Sequence, residues 1–281
     1  MPTGLSIHIG LNKIDETRYG TTGDLANPEN DAASMAELAT ANGFTASPPL
    51  LTNDATSTAV TNAIKQAAST LTSGDILLLT YAGHGAQIPD ANGDEKDAQD
   101  ETWVLYDRQL LDDELYGLLA TLADGVRVLI LSDSCHSGTV ARDLPLSLTT
   151  TELERAFDTN EPHRVPQRIR TLPHEAQLHN YQRDQQLYTQ IQRATPAQPA
   201  FAADVLLISG CQDNQTSSDG TSNHGLFTQT LLNTWNNGAF KGTYATLHKK
   251  IVADMPFFQT PNLFQAGKTS AAFRNQAPFT I

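Results

Sequence analysis

The chain has 281 residues, of which 39% are hydrophobic and 17% charged, with a formal net charge of −13 at pH 7. That length supports one large domain or two small ones, and the composition is that of an ordinary globular protein. The acidic balance argues against nucleic-acid binding, the aliphatic runs are too short to cross a membrane, and the first residues lack a secretory-signal pattern. Two cysteines do not make a disulfide scaffold, so we expect free thiols and a cytoplasmic location.

Strand and helix patterns alternate through the first half of the chain. Short apolar runs predict strands at 5–12, 50–51, 75–80, 103–107 and 126–131. Polar and apolar residues at helical spacing predict helices at 30–42, 57–71 and 112–122, the first two followed by Gly43 and Gly74. This alternation indicates an α/β protein with a mostly parallel sheet and helices on both faces.

The pattern changes between residues 141 and 203, which hold seven of the eleven arginines and no lysine. Residues 174–193 predict an amphipathic helix whose apolar face carries Leu178, Tyr181, Tyr188 and Ile191. We expect the rest of this segment to be an irregular surface insertion. The α/β pattern then resumes, with a strand at 204–210, helices at 225–235 and 243–254, and an edge strand at 262–265.

Two turns rich in small residues directly follow predicted strands: Tyr81-Ala-Gly-His84-Gly and Asp133-Ser-Cys135-His136-Ser-Gly. If the two strands are neighbours, His84 and Cys135 leave the sheet at the carboxyl edge, where open α/β sheets place their sites. A thiol beside an imidazole makes a nucleophile and its base. His136 is a competing base, but neighbouring residues point different ways as they leave a strand, so we assign His84.

The glycines of the first turn have a role in this chemistry. Gly83 and Gly85 let a substrate backbone approach closely, and the Gly85 N–H can join the Cys135 N–H as an oxyanion hole. Taken alone, a cysteine at a strand end is usually a small core residue, and a histidine before glycine is usually a loop residue. The two together, each after a strand, favour catalysis.

These turns resemble those of metacaspases, in the caspase-like clan of cysteine peptidases, as do the acidic loop at 90–101, the Asp112-Asp113 pair and the stretch 208–220. His84 precedes Cys135 by 51 residues, close to the caspase spacing. The resemblance implies a caspase-like three-layer α/β/α sandwich, a compact prokaryotic-style or type I-like member without a prodomain. Its single domain would comprise a large-subunit-like region (1–140), an Arg-rich linker (141–203) and a small-subunit-like region (204–281).

The resemblance also implies peptide hydrolysis after Arg or Lys, and a buried basic side chain needs carboxylate partners. Asp133, two residues before the nucleophile, can line such a pocket. Asp31 matches a second pocket acid, although a helix cap or first-turn acid is an alternative. Asp213 either reaches the pocket or caps a turn, whereas Cys211 is better placed in the core. Ala82 stands in the substrate-binding turn where the family often has serine.

A calcium site is a further expectation. Residues 90–101 almost fit an EF-hand, but Glu95 stands where the loop requires glycine, so we reject that motif. The resemblance implies a different Ca²⁺ site, made of Asp100 or Asp97 with Asp112, Asp113 and Asp143. Asp143 is one residue off the family spacing, and a solvated acidic loop followed by a capped helix is the alternative.

The mechanism that follows is an acyl-enzyme formed by Cys135, with His84 as base and then acid, oriented by backbone rather than by a third carboxylate. The Arg-rich linker is a natural self-cleavage region, without a preferred bond; its alternative is a surface helix with solvated arginines. We expect protein or peptide substrates, a monomer, and no nucleic-acid or membrane partner. Two rival functions remain: a silent binding module with this fold, and a metal-dependent hydrolase that uses His84 and the aspartates.

Overall fold

The fold comes from a computed structural model that describes residues 1–91, 98–135, 168–195, 201–212, 215–220, 222–256, 258–268 and 270–281. The strands are β1 (Gly4–Gly10), β2 (Thr45–Ala46), β3 (Leu50–Leu51), β4 (Ile76–Ala82), β5 (Gly85–Pro89), β6 (Gln99–Val104), β7 (Gln109–Leu111), β8 (Arg127–Asp133), β9 (Asp204–Ser209) and β10 (Asn262–Gly267). The helices are α1 (Glu16–Tyr19), α2 (Pro28–Ala41), α3 (Ser57–Thr70), α4 (Asp112–Leu119), α5 (His174–Ala194), α6 (Leu226–Trp235), α7 (Tyr244–Asp254) and α8 (Ala271–Asn275). Within the described ranges, no helix combines the length and apolarity that a membrane span requires.

The main sheet has the strand order β10-β9-β8-β4-β1-β2, with β3 also pairing with β1. The strands β1, β4, β8 and β9 run parallel, and β10 closes one edge in the antiparallel direction. The predicted α/β sandwich around a mostly parallel sheet is therefore confirmed. In the register between β4 and β8, Ala82 lies opposite Asp133, so both strands end at the same level of the sheet.

Both faces of the main sheet are covered, because its central strands contain apolar runs that contribute to two core layers. Along β4, Leu77 and Leu79 contribute to the core layer shared with α3 and α4, whereas Ile76 and Leu78 contribute to the layer shared with α2, α6 and α7. Side chains alternate between the faces of a strand, so a continuous apolar run supplies both layers.

A second sheet, antiparallel and made of β5, β6 and β7, was not predicted. The sequence indicated a polar loop and a single strand at 103–107. The reason is that several inward-facing positions are polar: Asp100, Thr102 and Gln109 are all buried, and the Thr102 hydroxyl donates to the Gln109 amide oxygen over 2.8 Å. Buried polar pairs of this kind leave no hydrophobic alternation in the sequence.

Helix α5 was predicted with nearly the observed bounds, but its buried face was predicted only in part: Tyr181, Tyr188 and Ile191 join one apolar cluster. Leu178, placed on the apolar face, is 46% exposed, while Gln177, Asn180 and Gln192 are buried. Tyr188 is buried as expected, and its hydroxyl donates to the Asn180 side-chain oxygen over 2.5 Å. The helix packs on the small sheet largely through amide side chains, which a hydrophobic pattern does not reveal.

Acid should destabilise this fold through a buried histidine of the main sheet. His8 on β1 lies between the hydroxyls of Thr80 and Ser6, each 2.9 Å away, and burial lowers the pKa of His8 to about 4. The unfolded chain then binds the extra proton between pH 6.5 and 4, so the free energy of unfolding should fall by about 3 kcal/mol over that range. Urea unfolding at each pH should show a flatter profile for His8→Gln.

The matched control for this prediction is His174→Gln, which removes an exposed histidine instead of a buried one. The acid profile of the wild type should be retained in that variant. Equal pH profiles for His8→Gln and the wild type would contradict the prediction.

Candidate active site

The two predicted turns lie against each other at the carboxyl edge of the main sheet. The Gly83 N–H donates to the Asp133 carbonyl oxygen over 3.4 Å, which joins the end of β4 to the end of β8. The Gly85 backbone packs so closely on Cys135 that an added Cβ would overlap the Cys135 carbonyl. Glycine is therefore required at position 85 by close backbone approach, and His84 is brought to the same edge as Cys135.

His84 is held by backbone on both sides. Its Nε2 lies 2.9 Å from the Gly23 carbonyl oxygen, and the Tyr81 hydroxyl donates to the His84 carbonyl over 2.6 Å. Burial lowers the pKa of His84 to about 4, against the opposing hydrogen bond to Gly23, so the imidazole is neutral at neutral pH. Among described residues, Nδ1 has no hydrogen-bond partner. A neutral, backbone-oriented imidazole with a free ring nitrogen has the properties of a general base.

Cys135 is fully buried at the end of β8. Burial raises the pKa of the Cys135 thiol, but hydrogen bonds with the Cys211 thiol and the Ser217 N–H bring it below its ordinary value. Cys211 is itself buried and donates to the Ser134 carbonyl over 3.4 Å. A lowered pKa favours the reactive thiolate. His136, the rival base, lies outside the described residues.

A carbonyl oxygen from elsewhere in the chain accepts from both predicted oxyanion donors. The Gly85 N–H donates to the Arg170 carbonyl over 2.8 Å, and the Cys135 N–H donates to the same oxygen over 3.4 Å. Two N–H groups thus converge on one carbonyl oxygen, as they do in an oxyanion hole, and the Cys135 contact is the longer of the two. The Arg170 carbonyl therefore lies at the point where the two turns meet.

The segment around Arg170 crosses the site as an extended strand. The Asp219 N–H donates to the Arg168 carbonyl over 2.7 Å, and the Arg170 N–H donates to the Ser217 carbonyl over 2.9 Å. The prediction of an irregular surface insertion is therefore wrong for residues 168–172, which are bound in a cleft as a peptide would be.

The guanidinium of Arg170 is fully buried in an acidic pocket. Its Nη2 lies 2.5 Å from Asp31 Oδ2 and 3.0 Å from Asp219 Oδ1, and its Nη1 lies 3.1 Å from Asp133 Oδ2. Nε also donates to Asp219 Oδ1 over 3.3 Å, and Nη1 donates to the Asp133 carbonyl over 3.0 Å. All three nitrogens of the guanidinium therefore have acidic or carbonyl partners, an arrangement that suits arginine's planar fork.

Asp133 is the best-anchored acid of this pocket. Ser217 donates its hydroxyl to Oδ1 over 2.7 Å, and the Thr228 N–H and hydroxyl donate to Oδ2 over 3.1 and 2.8 Å. Burial raises the pKa of Asp133, with repulsion from Asp31 adding to it and Arg170 opposing it. The pocket thus favours a cation, because three buried carboxylates face one guanidinium.

The structure places the predicted pocket residues as follows. Asp31 lies in the first turn of α2, and its carboxylate also contacts the Arg170 guanidinium. Ala82 lines a small cavity that Asp31 and Asp133 also line. Asp213 lies outside the described residues, and the third acid, Asp219, was missed. It belongs to the stretch 208–220 that carried the family resemblance, and the following Gly220 with φ of +75° marks a turn at this point.

The carboxylates predicted for calcium are near one another but do not form a ligand set by themselves. Burial raises the pKa of Asp112 well above its ordinary value, and repulsion from Glu101, Asp100 and Asp113 adds to it. In the part of the chain that the structure describes, no group of three or more His, Cys, Asp or Glu side chains converges as metal ligands. The remaining predicted ligands, Asp97 and Asp143, lie outside the described residues.

The profile of the caspase domain, a peptidase family, matches residues 9–274. The chain belongs to the caspase-domain family. Its sequence is 28% identical to Metacaspase-1 of Kluyveromyces lactis over 236 residues, and this alignment covers 73% of this chain and 53% of that protein. It is 34% identical over 181 residues to Metacaspase-1 of Schizosaccharomyces pombe, covering 56% and 40% of the two chains. The chain spans about half the length of these metacaspases or less, and it is a metacaspase-like member of the caspase clan.

Two solved structures extend the comparison. Protein GSU0716 from Geobacter sulfurreducens superimposes with a TM-score of 0.85 at 44% identity, covering 100% of this chain and 99% of that chain. Caspase-1 from Spodoptera frugiperda superimposes with a TM-score of 0.56 at 14% identity, covering 95% and 88%. The second likeness is one of fold alone.

Proposed function

We propose that this chain is a cysteine endopeptidase that hydrolyses peptide bonds after Arg or Lys, with Cys135 as nucleophile and His84 as base. One observation carries the proposal: the chain's own Arg170 lies in the cleft with its guanidinium among three aspartates and its carbonyl against the Gly85 and Cys135 N–H groups. A peptidase must bind the side chain that precedes the scissile bond, and it must stabilise the oxygen of the carbonyl that is attacked. The aspartates and the two N–H groups would supply these two interactions.

The proposed mechanism assigns a role to each of these groups. The Cys135 thiol gives its proton to the neutral His84 imidazole and attacks the carbonyl after the basic residue. The two N–H groups stabilise the oxyanion, a contribution of about 10²–10³-fold in rate for each donor. The His84 imidazolium protonates the departing amine, and a water deprotonated by the same imidazole hydrolyses the thioester. The Gly23 carbonyl orients the ring through Nε2.

We extend the proposal to self-cleavage, with Arg170–Thr171 as the bond. The Arg170 side chain supplies the charge that the pocket selects, and residues 168–172 make strand-like hydrogen bonds on both sides of the bond. Of the four linker arginines that the structure describes, Arg170 is the one whose contacts support this assignment, whereas Arg168 is exposed. The proposed setting is a monomer in the cytoplasm that acts on protein substrates.

We also propose that Ca²⁺ modulates the enzyme, on the basis of the family resemblance and the crowded carboxylates at Asp100, Asp112 and Asp113. Their mutual repulsion would be relieved by a bound cation, and oxygen ligands suit Ca²⁺. A complete ligand set would need Asp97 or Asp143 in addition. Ca²⁺ would act there as a structural ion, because the proposed peptide chemistry is assigned to Cys135 and His84.

The test is hydrolysis of matched peptides with Arg, Lys or Asp before the scissile bond, by wild type and Cys135→Ala, each with millimolar Ca²⁺ or a chelator. We expect cleavage after Arg and Lys, none after Asp, and a loss of about 10⁴-fold or more in Cys135→Ala. A lower rate in the chelator would support the calcium proposal, and equal rates would contradict it.

The same assay separates the rival functions. Activity that survives in Cys135→Ala and requires metal would favour the metal-dependent hydrolase. The absence of cleavage in every arm, together with no labelling of Cys135 by a thiol-selective electrophile, would favour the binding module.

A further inference from the structure

The Arg170–Thr171 bond is held on both sides by contacts that do not depend on the bond itself. On the acyl side, Arg170 is fixed by the acidic pocket and by its N–H, which donates to the Ser217 carbonyl over 2.9 Å. On the departing side, Leu172 is fully buried, and its N–H donates to the Gly85 carbonyl over 3.0 Å. Cleavage would therefore leave both new chain ends in place.

Helix α5 extends this anchorage beyond Leu172. The Gln177 side chain donates to the Leu172 carbonyl over 2.6 Å and accepts from the Gln87 N–H over 3.2 Å. Further along the helix, the Tyr188 hydroxyl accepts from the Gln109 N–H over 3.1 Å. Since α5 begins at His174, the departing segment is continuous with an element packed along its length on β5 and β7.

The two fragments that cleavage would produce also interlock. β8, in fragment 1–170, pairs along its length with β9, in fragment 171–281. Arg170 of the first fragment contacts Asp219 and Ser217 of the second, while Leu172 of the second contacts Gly85 of the first. A cut at this bond removes one covalent link from a continuous sheet and core.

We propose that this site also rejoins the bond it cuts, so that the chain acts in cis as a peptide ligase at Arg170–Thr171. The inference rests on the proposed function, because it needs the same thiol and imidazole. It adds a second activity to the site: the retained Thr171 amine replaces water as the acceptor of the Arg170 acyl group.

The chemical steps balance without any other reactant. In the forward direction the Cys135 thiolate attacks the Arg170 carbonyl carbon, the C–N bond to Thr171 breaks, and the amine leaves with a proton from His84. In reverse, the Thr171 amine attacks the thioester, gives a proton to His84, and expels the thiolate. Hydrolysis of the thioester by water gives the Arg170 carboxylate, and thioester formation from that carboxyl group returns one water.

Retention of the amine decides the competition between ligation and hydrolysis. Well-oriented intramolecular nucleophiles reach effective molarities of about 10⁵–10⁸ M, far above the molarity of liquid water. An amine is also the better nucleophile for a thioester. The oxyanion hole formed by Gly85 and Cys135 serves both directions, because both pass through the same tetrahedral intermediate. Self-cleavage at this bond should thus reach an equilibrium with the intact chain.

The experiment is incubation of the full-length protein in H₂¹⁸O. Each cycle of hydrolysis and rejoining places ¹⁸O in the Arg170 carboxyl group and carries it into the re-formed peptide bond. The intact chain is then isolated, denatured and digested after glutamate in ordinary water, which releases residues 155–175 because the Glu161–Pro162 bond resists cleavage. We expect this peptide to gain 2 Da at the Arg170 carbonyl, increasing with time, and Cys135→Ala to gain none.

Helix variants test whether α5 holds the departing amine. Gln177→Ala removes two hydrogen bonds at the departing segment and should raise the ratio of cut to intact chain by about fivefold or more. Gln186→Ala, an exposed glutamine on the same helix, should leave the ratio at the wild-type value. An equal ratio in Gln177→Ala and Gln186→Ala would contradict the anchoring role of α5.

Failure of this inference differs from failure of the proposed function. Suppose that added peptides are cleaved but the intact chain carries no ¹⁸O. The ligation proposal is then overturned and the peptidase proposal stands, whatever fraction of the chain has been cut at Arg170. If trans cleavage is absent as well, both proposals fall. Incorporation of ¹⁸O that persists in Cys135→Ala would also overturn the ligation proposal.

Discussion

Replacing Arg170 with alanine should raise the hydrolysis of added arginyl peptides by about tenfold or more. In the wild type the pocket is filled in cis by Arg170, whose guanidinium contacts Asp31, Asp133 and Asp219. A tethered ligand competes at an effective concentration of about millimolar or higher, so micromolar peptides are largely excluded. The measurement is the initial rate of cleavage of a fluorogenic arginyl peptide, with cleavage at position 170 followed by gel.

The same substitution should destabilise the fold. Arg170 is the cation that faces three buried carboxylates, and removal of one partner from a buried ion network costs about 3–5 kcal/mol. The carboxylates left behind repel one another, and protonation relieves that repulsion. The difference in unfolding free energy between wild type and Arg170→Ala should therefore be larger at pH 8 than at pH 5. An arginyl peptide aldehyde should restore much of the loss, because it returns a guanidinium to the pocket.

Two control variants isolate the effect of the buried charge. Arg168→Ala removes a neighbouring arginine that is exposed and whose side chain donates to the Asp24 carbonyl over 3.2 Å, and it should behave as wild type. Arg170→Lys keeps the charge with a shorter side chain that lacks the fork, and it should lose less stability than Arg170→Ala. Unchanged trans activity and stability in Arg170→Ala would mean that the cleft is not closed by this segment.

The sequence was most informative where apolar runs meet Gly-rich turns. The runs before Ala82 and Asp133 predicted buried parallel strands, and the register of β4 with β8 shows that the two strands are neighbours. The positions of His84 and Cys135 at one sheet edge follow from that pairing. These features were accessible because buried parallel strands have a composition that few other elements share.

What the sequence did not show depends on contacts distant along the chain. In the sequence Arg170 is one of seven linker arginines, all of which could be solvated. The residues adjacent to it in sequence do not reveal its ion pair with Asp31, which lies 139 residues earlier. Asp219 was missed for the same reason. The small sheet and the amide part of the buried face of α5 were missed because side chains such as Gln177 and Asp100 occupy inward positions. The groups of a buried polar network form hydrogen bonds with residues that are distant in sequence. Such networks therefore produce no hydrophobic periodicity from which an element could be predicted.

Neutralising Asp133 should lower kcat/KM for arginyl peptides by about 10²–10³-fold, which makes Asp133→Asn the variant that tests the pocket most directly. Asp133 contacts Nη1 of the bound guanidinium at 3.1 Å and is itself held by Ser217 and Thr228. An amide there loses a charge-assisted contact in a buried site, where such contacts are worth several kcal/mol. The assay is best made in the Arg170→Ala background, so that the tethered arginine does not compete.

Three further measurements separate loss of recognition from loss of chemistry. The rate at which iodoacetamide alkylates Cys135 should change little in Asp133→Asn, because the thiol, His84 and the two N–H donors are retained. Asp24→Asn neutralises a half-exposed carboxylate near the cleft, paired with Lys13 at 3.7 Å, and should change kcat/KM by less than about twofold.

In the Arg170→Ala background Asp133→Asn should also raise the unfolding free energy, since it removes one of three uncompensated buried charges. A fall in alkylation equal to the fall in kcat/KM would assign Asp133 to the nucleophile rather than to the pocket, and a stability loss in that background would contradict the charge argument.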